Sequence, residues 1–151
     1  MRWFKIWPLL ILAAGLPFEA EAGAPGIIKV LPHLLDLEGR HSLSPSLYER
    51  DAYQAVLRKN PEKSSALRFD VQWKAGAVDG SQLKLRVEIR GSKEAKPFLL
   101  EKRVQRNHWY HRWSSLTLDG ESYQKVGEVI AWRATLWEGD KLVAEQKSFL
   151  W

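Results

Sequence analysis

Two stretches of this chain alternate apolar and polar residues so strictly that they limit what it can fold into. Leu67, Phe69, Val71 and Trp73 are interleaved with Arg68, Asp70, Gln72 and Lys74, and Leu83, Leu85, Val87 and Ile89 with Lys84, Arg86, Glu88 and Arg90. A period of two puts all the apolar side chains of an extended strand on one face, whereas a helix would scatter them around its axis. Each stretch is therefore predicted to be a half-buried strand. The intervening segment from Ala75 to Ser81 contains two glycines and reads as a turn, so the two strands are predicted to pair as a hairpin.

The rest of the chain extends the pattern. Ile27 to Leu37 is mostly apolar, and its Pro32 suits an edge strand, because proline cannot donate a ladder hydrogen bond. Ser44-Pro45 supplies an N-cap and a first helical residue, and Asn60-Pro61 a stop, so a helix is expected between them with Tyr48, Ala52, Ala55 and Val56 on its packed face. Pro97 to Val104 and Trp113 to Leu118 read as further strands. Glu128 to Trp137 and Lys141 to Trp151 form a terminal hairpin about Glu138-Gly139-Asp140, with Phe149, Leu150 and Trp151 completing the sheet. In that hairpin Ile130, Trp132, Ala134 and Leu136 are expected inward, which sends Arg133 and Trp137 to the outer face. The expected fold is all-β: a seven-stranded antiparallel β-sandwich with one short helix inserted between the first and second strands.

The N-terminus carries Arg2 and Lys5, an apolar run from Ile6 to Phe18, and Ala20-Glu21-Ala22, the three parts of a signal peptide. The run falls short of the roughly 20 residues of a membrane-spanning helix. Residues 1–22 are thus expected to direct export, with cleavage after Ala22 and retention as an anchor the other outcome. Residues 23–151 then form a single domain that is secreted or periplasmic, with no integral span in the mature chain. The chain has no cysteine, which excludes a disulfide framework and a thiol nucleophile. Eight Trp, four Tyr and five Phe supply the apolar bulk that must replace crosslinks.

The order of strands, and Tyr123 placed shortly before Ile130-Ala131-Trp132-Arg133, resemble an immunoglobulin-like or fibronectin-type-III-like sandwich, in which a tyrosine ties the corner ahead of the penultimate strand. The missing cysteines depart from the antibody type and leave the fibronectin type as the nearer likeness. The resemblance implies that Trp73 and Trp132 fill the space between sheets that a disulfide and its tryptophan fill in antibodies. The chain is also similar to small secreted bacterial proteins carrying such sandwiches, a likeness that implies no activity and carries over no catalytic residue.

For function, the segment from Lys102 to Trp113 interleaves cations with aromatic rings. Arg103, Arg106, His108, Trp109, Tyr110, Arg112 and Trp113 are the candidate binding residues. Trp, Tyr and Arg dominate protein interfaces, while the same mixture grips polyanions through charge and stacking, or sugars through the rings; ordinary strand packing with a solvated basic rim is the plain alternative. The formal net charge of +5 is compatible with an anionic partner and equally with a soluble surface. His108 and His111 would diverge on a strand, and His33 and His41 are isolated in sequence, so no metal site is expected. Glu88, Glu101 and Glu145 read as partners for neighbouring bases; no nucleophile elbow surrounds Ser44, Ser114 or Ser115, and no phosphate-binding glycine loop occurs. The expectation is an exported, non-catalytic interaction or structural module without a cofactor. Its partner would be a protein of the cell envelope or the exterior, with a carbohydrate or polyanion such as an acidic glycan as the alternative.

Overall fold

A computed structural model of the chain describes residues 23–76, 78, 81–105 and 112–151; the expected signal peptide lies outside them. The strands are β1 (Gly26–Asp36), β2 (Ser64–Lys74), β3 (Leu83–Gly91), β4 (Phe98–Arg103), β5 (Arg112–Asp119), β6 (Val129–Glu138) and β7 (Lys141–Lys147). Helix α1 (Leu47–Lys59) and a short 3-10 turn (Pro61–Lys63) lie between β1 and β2. A second helix, α2 (Gly120–Val126), joins β5 to β6. The expectation of one helix did not include it: seven residues with polar Glu121, Ser122, Gln124 and Lys125 leave little periodic signal.

The strands form two antiparallel sheets, ordered β1-β2-β5 and β4-β3-β6-β7. This corrects the predicted hairpin of the two alternating stretches, because β2 and β3 belong to different sheets. Strict alternation reports that one face of a strand is buried, and says nothing about which strand lies beside it. Here the inner faces of both strands meet the same core: Phe69, Val71 and Trp73 from one sheet join Leu85, Val87, Ile89, Ala134 and Leu136 from the other. Trp73 is almost wholly buried and donates its indole N–H to Ser114 Oγ at 3.0 Å, while Trp132 meets Phe69 edge to face at 6.5 Å. Burial of these rings and aliphatic chains supplies the main driving force for folding, at roughly 25 cal/mol per Å² of apolar surface.

Helix α1 departs from its expected frame. Its N-cap is Ser46, whose Oγ accepts from Glu49 N, and Ser44 and Pro45 lie outside the helix in a run of serine turns. Its inner residues are Gln54 and Leu57, while Tyr48 is 84% exposed and Val56 is also exposed. A polar contact decides the orientation. The Gln54 amide accepts from Leu34 N at 2.8 Å and donates to Leu34 O at 2.9 Å, occupying the free edge of β1 as a neighbouring strand would. The Tyr53 hydroxyl donates to Asp36 at 2.7 Å alongside it.

At the C-terminus the β6–β7 hairpin turns through Gly139, at φ 56°, and Asp140. Strand β7 ends at Lys147, which corrects the expectation of a strand running to Trp151. Phe149 and Leu150 are exposed, and Trp151 instead packs under the Arg90 guanidinium at 4.4 Å. The outward direction of Arg133 and Trp137 agrees with the sequence reading, with Ala134 and Leu136 fully buried and Trp132 packed against the core. Ile130 departs from it, being 53% exposed.

Candidate functional site

Between α1, α2 and strands of both sheets lies a cavity of about 640 Å³, within the range that holds small ligands. Pro32 and Leu34 line it from β1, Leu57 and Arg58 from α1, Tyr123 from α2, and Trp132 from β6. Leu67 reaches it from β2 in the regular inward phase, and Ser64 because of a bulge. Leu35 pairs with Ala66 and Asp36 with Ser64, so Ser65 is an extra residue that shifts the phase of the strand. Ser64 thereby falls in the inward phase of Leu67 rather than the outward phase of Arg68 and Asp70, the kind of re-aiming that bulges produce.

Ser64 is only 5% exposed, and its Oγ makes no hydrogen bond within the protein. Burying an unsatisfied hydroxyl costs about 1–3 kcal/mol, so a ligand that offers it a polar atom would recover that cost. The Tyr123 phenol is near enough for the serine to lower its pKa slightly, without ordinary hydrogen-bond geometry, and burial outweighs this and pushes the phenol up. Tyr123 therefore stays protonated at neutral pH. At the cavity edge stand Arg58, Lys93 and Glu128, none with an ion-pair partner among the described residues. The Lys93 ammonium donates to the Gln124 carbonyl at 3.2 Å.

A second polar cluster lies on the outer face of the β1-β2-β5 sheet. Asp70 accepts from Ser115 Oγ at 2.6 Å and from Arg68, and pairs with His33 Nδ1 at 3.0 Å. His41 stacks obliquely on His33, with ring centroids 5.1 Å apart, so two histidines that are isolated in sequence adjoin in space. Burial, then the Arg68 charge, pushes the His41 pKa down. Burial alone would raise the Asp70 carboxyl, but hydrogen bonds from His33, Ser115 and Arg68 hold it well below the usual carboxylate range. Although serine, histidine and an acid meet here, the acid is in the middle. The serine proton points to a carboxylate that stays ionised, and the imidazole is not positioned to take it, so the geometry is not that of an activated nucleophile.

The described flanks of the predicted basic-aromatic segment lie at the opposite end of the sheets from the cavity. Arg103 closes β4 and is exposed; Arg112 opens β5, and Trp113 is half exposed opposite Gln72. Arg106, His108, Trp109 and Tyr110 lie outside the described residues, as does His111. Since Trp73 pairs with Arg112, this end is nine residues along β2 from Ser64, roughly 30 Å at 3.3 Å per residue. The outer face of the β4-β3-β6-β7 sheet carries Lys84, Arg86, Arg90, Arg103, Arg133 and Lys147 against Glu88, Glu101 and Glu145. Glu101 bridges Lys84 and Arg86, Arg133 sits between Glu88 and Glu145, and Arg86 lies over Trp137 at 4.8 Å.

Sequence reasoning missed the cavity because its residues come from six separate segments and each reads as ordinary core or helix surface. The one available signal was a pair of serines, Ser64-Ser65, at the start of a strand whose alternation begins only at Leu67. No protein family, no curated protein and no solved structure matches this chain.

Proposed function

We propose that this chain is an exported, non-catalytic binding module whose β-sandwich is of the fibronectin-type-III-like kind, and that it takes a small apolar ligand in the cavity between α1, α2 and the two sheets. The order of strands, three in one sheet and four in the other, with Tyr123 at the connection between β5 and β6, supports the sandwich type. The observation that carries the binding reading is the buried Ser64 hydroxyl, which has only the Tyr123 phenol beside it and no hydrogen bond of ordinary geometry, turned by a bulge into a cavity walled by Leu34, Leu57, Leu67 and Trp132. Convergence of an apolar wall and a few unsatisfied polar atoms is the usual composition of a ligand site.

Fluorescence titration with the neutral probe N-phenyl-1-naphthylamine tests this. The mature chain, residues 23–151, is expected to bind the probe with one-to-one stoichiometry. Ser64→Leu, which fills the wall, and Ile130→Trp, which narrows the mouth from an exposed position, should each weaken binding at least about tenfold, or about 1.4 kcal/mol. Undiminished binding by both variants, with circular dichroism unchanged, would refute the cavity as the site.

A second reading, docking of a protein partner, is favoured by Leu37, Leu43, Leu47 and Tyr48. These large apolar side chains in the β1–α1 connection and the first turn of α1 are all more than 60% exposed.

A further inference from the structure

Resting on the cavity reading above, we infer that the ligand class is a small amphiphile with an apolar body and a single acidic head, such as a medium-chain carboxylate. The apolar wall formed by Leu34, Leu57, Leu67 and Trp132 would take the body. The choice of head follows from which polar groups at the cavity are uncommitted. The Gln54 amide is spent on Leu34 and the His41 carbonyl. Ser148 is held against the backbone of Trp132, its Oγ accepting at 3.0 Å and its N–H donating at 2.9 Å, which leaves its hydroxyl proton as a further donor at the cavity. The Ser64 hydroxyl makes no hydrogen bond of ordinary geometry and lies beside the Tyr123 phenol, which is protonated at neutral pH, and neither Arg58 nor Lys93 has an acidic partner among the described residues, the Lys93 ammonium donating only to the Gln124 carbonyl. Against these donors stands one carboxylate, Glu128, which is exposed. A carboxylate accepts hydrogen bonds from hydroxyls and from ammonium or guanidinium groups and gains charge assistance from the cations. An ammonium head would face two cations for one acid, and a neutral head would leave both cations unused.

The position of Arg58 adds to this. It occupies the last turn of α1, where its charge complements the negative end of the helix, so the side chain is placed at the mouth by the helix rather than by an ion pair. An acidic head there would be in the field of an exposed cation at the water boundary, where a charged group keeps part of its hydration.

Competition against N-phenyl-1-naphthylamine separates this inference from the reading beneath it. Decanoate and 1-decanol share a chain length and differ in the head, and the alcohol is the more readily withdrawn from water. With the mature chain at neutral pH and low salt, decanoate is expected to displace the probe at a concentration at least about fivefold lower than decanol, a margin set by two partly exposed charge contacts. In the double variant Arg58→Gln, Lys93→Gln the decanoate and decanol displacement concentrations, each read against that variant's own affinity for the neutral probe, should become equal. If decanol competes as well as decanoate, or the double variant keeps the preference, the acidic head is refuted while probe binding leaves the cavity standing. If the chain does not bind the probe, both fall.

Discussion

Asp36 is among the most heavily bonded side chains described in the molecule. Burial would raise its carboxyl, but the Arg40 backbone N–H, the Tyr53 hydroxyl and the Arg40 guanidinium hold it well below the usual range, and Asp70 is held down in the same way by His33, Ser115 and Arg68. Both groups bind a proton less readily folded than unfolded, so the unfolded chain takes up protons first as pH falls. The stabilisation they give is complete above the unfolded carboxylate value of 3.8 and is lost progressively below it. Asp36→Asn is expected to cost about 2 kcal/mol at pH 7, as for other buried hydrogen bonds to a charge, and to flatten the fall in stability between pH 5 and 2. Thermal unfolding of both proteins across that range checks this, and parallel curves would show that Asp36 is not a source of the acid sensitivity. Neither cluster was legible in the sequence. Asp70 occupies an outward phase of β2 where any polar residue satisfies the pattern, and its partners His33 and Ser115 are brought in by register with β1 and β5.

At the scale of elements, the sequence specifies the type of structure far better than its neighbours. The alternations at Leu67 to Lys74 and Leu83 to Arg90 locate two strands, and the Gly139-Asp140 loop both locates and pairs β6 and β7. The difference is physical: a two-residue loop forces adjacency, whereas the longer connection after β2 permits a crossing to the other sheet. The face of α1 was misread for a related reason. Burial of Gln54, a polar residue, is determined by the open edge of β1, which the helix sequence does not encode. Contact between β3 and α2 is sharper still. At Gly91, where the β3–β6 register shifts, an added Cβ would lie 2.0 Å from the Val126 carbonyl oxygen. Gly91→Ala should therefore force the two elements apart at a cost of about 2–3 kcal/mol, at the upper end for overpacking. Denaturant unfolding with an unchanged m-value would measure it, and a loss below about 0.5 kcal/mol would contradict the close approach.

For the whole molecule, the described flanks of the basic-aromatic segment, Arg103 and Arg112–Trp113, and the cavity are at opposite ends of the sheets. A single chain reads its charges easily, because they sit together in sequence, but a cavity exists only once β1, β2, β6 and both helices are assembled. The expected fold class carried over in its coarse form, two antiparallel sheets on a shared core. The cavity has no linear signature. The most direct test of ligand binding there is a two-dimensional amide and indole NMR titration of residues 23–151 with N-phenyl-1-naphthylamine. Shifts centred on Leu34, Ser64, Leu67, Tyr123 and Trp132 are predicted, with Trp73, Arg103, Arg112 and Trp113 unmoved. Shifts centred instead on Arg103, Arg112 and Trp113, or none at saturating probe, would contradict it.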